Sequence, residues 1–186
     1  MRSHRQLVLY QSLLQVLQES GCPFCRFLKE YQTARLQNHS KESIHPLCNF
    51  HAWGLAAVQD APQAAQVFIN LVDRPDFLSD TECDICREVL AEEELRVSEF
   101  VSCPSRTEVS DWLRNSAVLC VPHGEKLQRQ VPPALAARVN AVVEKCRRQL
   151  AHDLQQLRDE PESEKAGWGA LGRAAEFLVS QRGLHS

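Results

Sequence analysis

Eight side chains of the sequence recur in an order that suits a metal ion. Cys22-Pro23-Phe24-Cys25 is followed by Cys48-Asn49-Phe50-His51, and Cys83-Asp84-Ile85-Cys86 is followed by Cys120-Val121-Pro122-His123. Each set reads Cys-x-x-Cys … Cys-x-x-His and offers three thiolates and one imidazole. That donor set fills a tetrahedral structural zinc site and leaves no coordination position for a substrate. Six of the eight cysteines enter the pattern, so two zinc ions per chain are expected. A closed site argues for structure over catalysis and leaves enzymatic activity open: a thiol or metal enzyme would need an open coordination position or a nucleophile beside a base, and the sequence shows neither clearly.

The elements that must carry these ligands are helices. Residues three apart on a helix share a face, with Cβ atoms about 5–6 Å apart, so each pair can reach one ion. A helix start also favours anions and lowers a thiol pKa. An amphipathic helix is predicted over 5–20, with Leu7, Tyr10, Leu14 and Leu17 at helical spacing and Gly21 placed to end it. Pro23 suits the first turn of a helix through 24–38, with Phe24, Phe27, Leu28, Tyr31 and Leu36 as buried candidates. After a polar loop at 39–45, Pro46 is expected to open a helix carrying Cys48, His51, Trp53 and Leu55. Asp60-Ala61-Pro62 breaks it, and a helix at 63–73 turns Val67, Phe68, Leu71 and Val72 inward.

Residues 74–79 read as a linker, and Ser79 and Asp80 as caps for a helix running from Cys83 to about Phe100. A loop around Cys103-Pro104 precedes a short helix capped by Ser110. Pro132-Pro133 starts a long helix, and an acidic connector at 159–165 leads to a last helix near 166–182 with Trp168, Leu171, Ala175 and Leu178. The three tryptophans, Trp53, Trp112 and Trp168, read as core aromatics.

The repetition extends past the ligands. Cys25-Arg26 matches Cys86-Arg87, His51 with Leu55 matches His123 with Leu127, and APQAAQVFINLV matches PPALAARVNAVV. The expected organisation is a first repeat at 1–75, a second at 76–150, and a connector with a C-terminal helix at 151–186, together forming one all-α domain. Pairing within each repeat is the simpler arrangement. The alternative joins Cys22/Cys25 to Cys120/His123 and Cys83/Cys86 to Cys48/His51.

Composition agrees with a helical globular protein. The hydrophobic fraction is 44% and glycine is sparse, while helix-forming Leu, Ala, Gln, Glu and Arg abound. No apolar run approaches the roughly 18 residues of a membrane helix, and Gln11, Gln15 and Gln18 interrupt any secretory leader core. The expected compartment is the cytoplasm, where cysteines serve metals more often than disulfides. Cys103 and Cys146 read as ordinary thiols; His39 and His45 lie close enough in sequence to serve as alternative ligands, but the second repeat has no counterpart to them, which weighs against that role.

Other readings of the same residues have identifiable requirements. An iron–sulfur cluster also takes thiolates. A glutaredoxin-like dithiol at Cys22/Cys25 needs a preceding strand, where a helix is expected. Net charge is −3, and residues 73–99 hold ten acids against three basic residues. Phosphate contacts need Lys and Arg, so a nucleic-acid partner is disfavoured and a protein partner is expected. The segments GCPFCRFL, CNFHAW, CDIC and LCVPHG, with the closing DEPESEKAGWGALGRAAEFLVSQRGL, resemble a bacterial family of domains of unknown function. The resemblance spans nearly the whole chain. It implies the repeated Cys/His motif and a helical fold, and it implies no activity.

Overall fold

The structure is a computed structural model that describes Leu17 and residues 21–39, 47–73, 83–102, 107–115, 117–159 and 167–179. Among the described residues there are eight helices and no strand. They are α1 (Pro23–Gln37), α2 (Asn49–Val58), α3 (Ala61–Val72), α4 (Asp84–Val101), α5 (Thr107–Asn115), α6 (Val121–Gln130), α7 (Pro133–Asp159) and α8 (Gly167–Val179). The fold is all-α, as composition and periodicity require.

Local chemistry explains where the helices start. Gly21 has φ +94°, a left-handed conformation that glycine adopts without a Cβ clash, and it precedes the proline that opens α1. Pro at the first turn forfeits no intrahelical bond, because that N–H has no partner there. The Asp60 carboxylate accepts a hydrogen bond from the Gln63 backbone N–H at 2.9 Å and caps α3. No described helix is long and apolar enough to cross a membrane.

The chain forms two compact units. Among the described residues, unit 2 is made of those between Leu28 and Glu94, and unit 1 of those up to Phe27 and from Leu95 onward, which precede and follow it in sequence. The core of unit 1 gathers Phe24, Val97, Phe100, Trp112, Leu127 and Val139, among others. Phe100 meets Phe24 edge-on at 5.6 Å and Trp112 edge-on at 5.9 Å between ring centroids. The Arg96 guanidinium sits 3.6 Å over the Phe27 ring, a cation–π contact. Helices α6 and α7 approach so closely that a Cβ built on Gly124 would lie 2.4 Å from Val143 Cγ2.

Unit 2 has a smaller core built on Leu28, Leu36, Leu55, Val67, Ile85 and Val89. The Gln59 side-chain amide donates to the carbonyls of Leu36 and His39 at 2.8 and 3.2 Å. It thereby supports the end of α1, where the Leu36 carbonyl also accepts the His39 N–H at 3.2 Å. Arg35 and Glu88 form a bidentate surface ion pair between α1 and α4.

Several expectations require correction. Trp53 is 67% exposed, not core, and Val72 is 71% exposed. On α2 the buried side is the His51–Leu55 stripe, and Trp53 stands about 200° round the helix from His51. On α3, Ala64, Val67 and Leu71 form the buried face, and Val72 is one step of about 100° away. Ser110 lies inside α5 and does not cap it. Helix α8 buries Ala170 and Phe177, seven residues apart, and turns Leu171 and Leu178 outward. The helix at 5–20 apart from Leu17, Pro46, the 74–79 linker with Ser79 and Asp80, Cys103-Pro104, the Trp168 side chain and most of the acidic connector lie outside the described residues.

Candidate metal centres

Helix starts deliver the ligands in pairs. Cys48 and Cys120 occupy the N-cap positions of α2 and α6, with near-identical extended backbones (φ −68°, ψ 163° and φ −76°, ψ 162°). His51 and His123 follow one turn later. Leu55 and Leu127 then anchor each helix in its own core, both fully buried. Each leucine carbonyl accepts the N–H of the residue that ends its helix, Gln59 or Val131. These two short helices therefore share one local build, with the Cys/His pair at the start and the buried leucine near the end. Cys22 and Cys83 lie just ahead of α1 and α4, and Cys25 and Cys86 are in their first turns.

The eight candidate ligands form two groups, Cys22, Cys25, Cys120 and His123 in unit 1, and Cys48, His51, Cys83 and Cys86 in unit 2. Within each group the four donor atoms all lie within 4.8 Å of one another, an arrangement that can hold one metal ion. The pairing is crossed, contrary to the simpler within-repeat expectation. The Cys-x-x-Cys of one repeat meets the Cys-x-x-His of the other, and the inner group is nested in sequence inside the outer one. The half-sites share one spacing, and the apolar residue inside each Cys-x-x-Cys packs in a different core. Phe24 stacks on His123 at 5.3 Å with 26° between the rings, while Ile85 is buried beside Leu55 in the core of unit 2.

The distances fit one small ion. In the outer group, His123 Nδ1 is 3.6, 3.4 and 2.9 Å from the sulfurs of Cys22, Cys25 and Cys120. In the inner group, His51 Nδ1 is 3.2, 3.4 and 3.4 Å from those of Cys48, Cys83 and Cys86. A tetrahedron with metal–sulfur bonds of about 2.3 Å and a metal–nitrogen bond of about 2.0 Å separates sulfur from nitrogen by about 3.5 Å and sulfur from sulfur by about 3.8 Å. Cys25 and Cys120 are 3.5 Å apart at sulfur, as are Cys48 and Cys86, far beyond a disulfide bond of about 2.05 Å. Both imidazoles aim Nδ1 at the sulfurs. This suits the tautomer with the proton on Nε2 and the Nδ1 lone pair free for a metal. His51 Nε2 is buried without a hydrogen-bond partner among the described residues.

Electrostatics within the groups separate the thiols. Burial pushes the Cys22 thiol up, but hydrogen bonds with Cys120, Cys25 and His123 outweigh it and hold the thiol well below its ordinary range. Cys83 is likewise lowered against the effect of burial, by the His51 hydrogen bond and by backbone hydrogen bonding. Burial, with the Cys48 contact and the charge on Cys83, pushes Cys86 up to about 12. Cys120 is raised by its contacts with Cys22 and Cys25 and then by burial. In each group one sulfur ionises readily and another resists, because thiolates this close repel. A divalent cation removes that conflict.

His39 belongs to neither group, and His45 and Cys103 lie outside the described residues. Cys146 is a free, half-buried thiol against the core of unit 1. Sequence reasoning missed the role of Gly124, whose lack of a side chain lets the His123 helix close on α7; the glycine directly after a ligand was the available signal. Comparison with family models, curated proteins and solved structures found no match for this chain.

Proposed function

We propose that this chain is a zinc protein in which each Cys₃His group holds one structural ion, two per chain, and that the clipped helices present a surface to a protein partner. The observation that carries the reading is the gathering of three sulfurs and one nitrogen within 4.8 Å, twice. Such a set satisfies all four positions of a tetrahedral ion and argues against a substrate site on the metal. An iron–sulfur cluster spreads its protein ligands over several irons, so donor atoms this compact favour a single ion. The solvent-facing Trp53 supports a protein partner, since tryptophan is enriched where proteins meet. The acidic balance weighs against nucleic acid. Free thiols suit a reducing compartment, and we place the protein in the cytoplasm.

Metal analysis of the purified chain beside Cys48→Ala and Cys120→Ala tests the assignment. The expected result is a colourless protein with two zinc ions, each variant losing one. Full metal retention in both variants, or visible absorbance with iron, overturns it.

A further inference from the structure

The outer Cys/His group forms part of the wall of a cavity within unit 1, with a volume of about 650 Å³. Pockets that hold small organic molecules span roughly 300–1,000 Å³. Cys22, Cys25 and Cys120 contribute to this wall, but His123 does not. Leu119, Leu150 and Phe177 supply an apolar lining from the α6 approach, α7 and α8.

Most charges around the cavity are already engaged. The Asp153 carboxylate accepts from Gln149 at 3.0 Å and from Arg173 at 2.9 Å, so it is neutralised in place. Arg26 and Glu176 each have interactions of their own. Lys145, one turn before Gln149 on α7, is exposed and has no ion-pair partner among the described residues. The lining is thus mixed, with an apolar side at Leu119, Leu150 and Phe177 and, at Lys145, a cation outside any ion pair among the described residues. On the zinc reading, the adjoining centre carries three thiolates around a divalent ion, a net single negative charge that disfavours a doubly charged ligand.

We propose that this cavity binds a small apolar molecule bearing one anionic group, such as a medium-chain carboxylate. The apolar body lies against Leu150 and Phe177, and the anionic group is held by Lys145.

The test uses the full purified chain with its metal content measured. Two fluorescent probes of similar body are titrated, anilinonaphthalene sulfonate and the neutral N-phenylnaphthylamine. Both are expected to bind saturably at one site per chain, and decanoate is expected to displace the sulfonate while an alkyltrimethylammonium of similar length does not. Lys145→Gln should weaken the sulfonate about threefold, the scale of an exposed charge pair, and leave the neutral probe unchanged. Leu150→Trp should abolish both while metal content is kept. Should that variant fail to fold, displacement from the wild type decides. Non-saturable binding, equal displacement by the cation, or indifference of the sulfonate to Lys145→Gln overturns the proposal, as does a correctly folded Leu150→Trp variant that still binds both probes.

Discussion

The Phe24 ring lies stacked on the His123 imidazole, 5.3 Å between centroids, with its edge contact to Phe100 behind it. One residue of a Cys-x-x-Cys segment thus orients the nitrogen ligand supplied by the distant Cys-x-x-His. Packing and coordination act on the same side chain here. An aromatic wall fixes the plane of the imidazole, and Nδ1 faces the three sulfurs.

Phe24→Ala is therefore expected to do two things. Removing a buried phenyl group destabilises the fold by about 3–5 kcal/mol. It also frees His123 to rotate, so zinc affinity at the outer group should fall while the inner group keeps its ion. Thermal unfolding together with a chelator titration that resolves the two equivalents checks both effects.

The crossed pairing makes a prediction in pairs of variants. Cys25→Ser and Cys120→Ser remove ligands from one ion, so each should lose one zinc equivalent and the double variant no more. Cys25→Ser combined with Cys48→Ser should lose two. Pairing within repeats would reverse these results, and quantitative metal analysis separates the cases.

Gly124→Ala places a methyl group 2.4 Å from Val143 Cγ2. Valine is stiff about χ1, so the helices must separate, at about 1–3 kcal/mol. Val143→Ala should recover much of the loss. Gly54→Ala meets only Leu36 Cδ1 at 2.8 Å, the end of a more flexible side chain, and should cost less. Chemical denaturation of the three variants checks the order.

Acidification should release metal and weaken the fold together. The Cys22 thiol is held below its ordinary value of 9.0 in the folded state. A depressed folded value contributes stability that is complete above the unfolded pKa and is lost as pH falls through the folded one. A bound divalent ion acts in the same direction on every coordinated thiol, because ligands must shed protons to bind it. Melting temperature should therefore fall from neutral to mildly acidic pH in the metal-loaded chain. Excess chelator should remove most of that slope.

The repeated spacing picked out the eight residues that the fold gathers into two groups, and Pro23 and Pro133 disclosed helix starts, because both rest on local chemistry; Pro62, read as part of a break, lies in the first turn of α3. The partner of each half-site was hidden. The Cys-x-x-Cys segments differ only in residues such as Phe24 and Ile85, and their preferences appear only once two different cores exist. Trp53 misled for a related reason: apolar character reports the tendency to be buried, whereas the facing of a helix depends on its neighbours. Helix α8 misled by a single step, since Ala170 and Phe177 define a face as well spaced as that of Leu171 and Leu178.

Nesting also sets an order of events during synthesis. As the chain leaves the ribosome from its N-terminus, Cys22 and Cys25 emerge first but wait for His123. Cys48 and His51 need only Cys86, so the inner ion can be captured while the outer thiols are still unmatched. On the zinc reading, a chain exposed past residue 86 but not yet to residue 120 would hold one ion at the inner group, and the thiols left open to modification would be those made earliest.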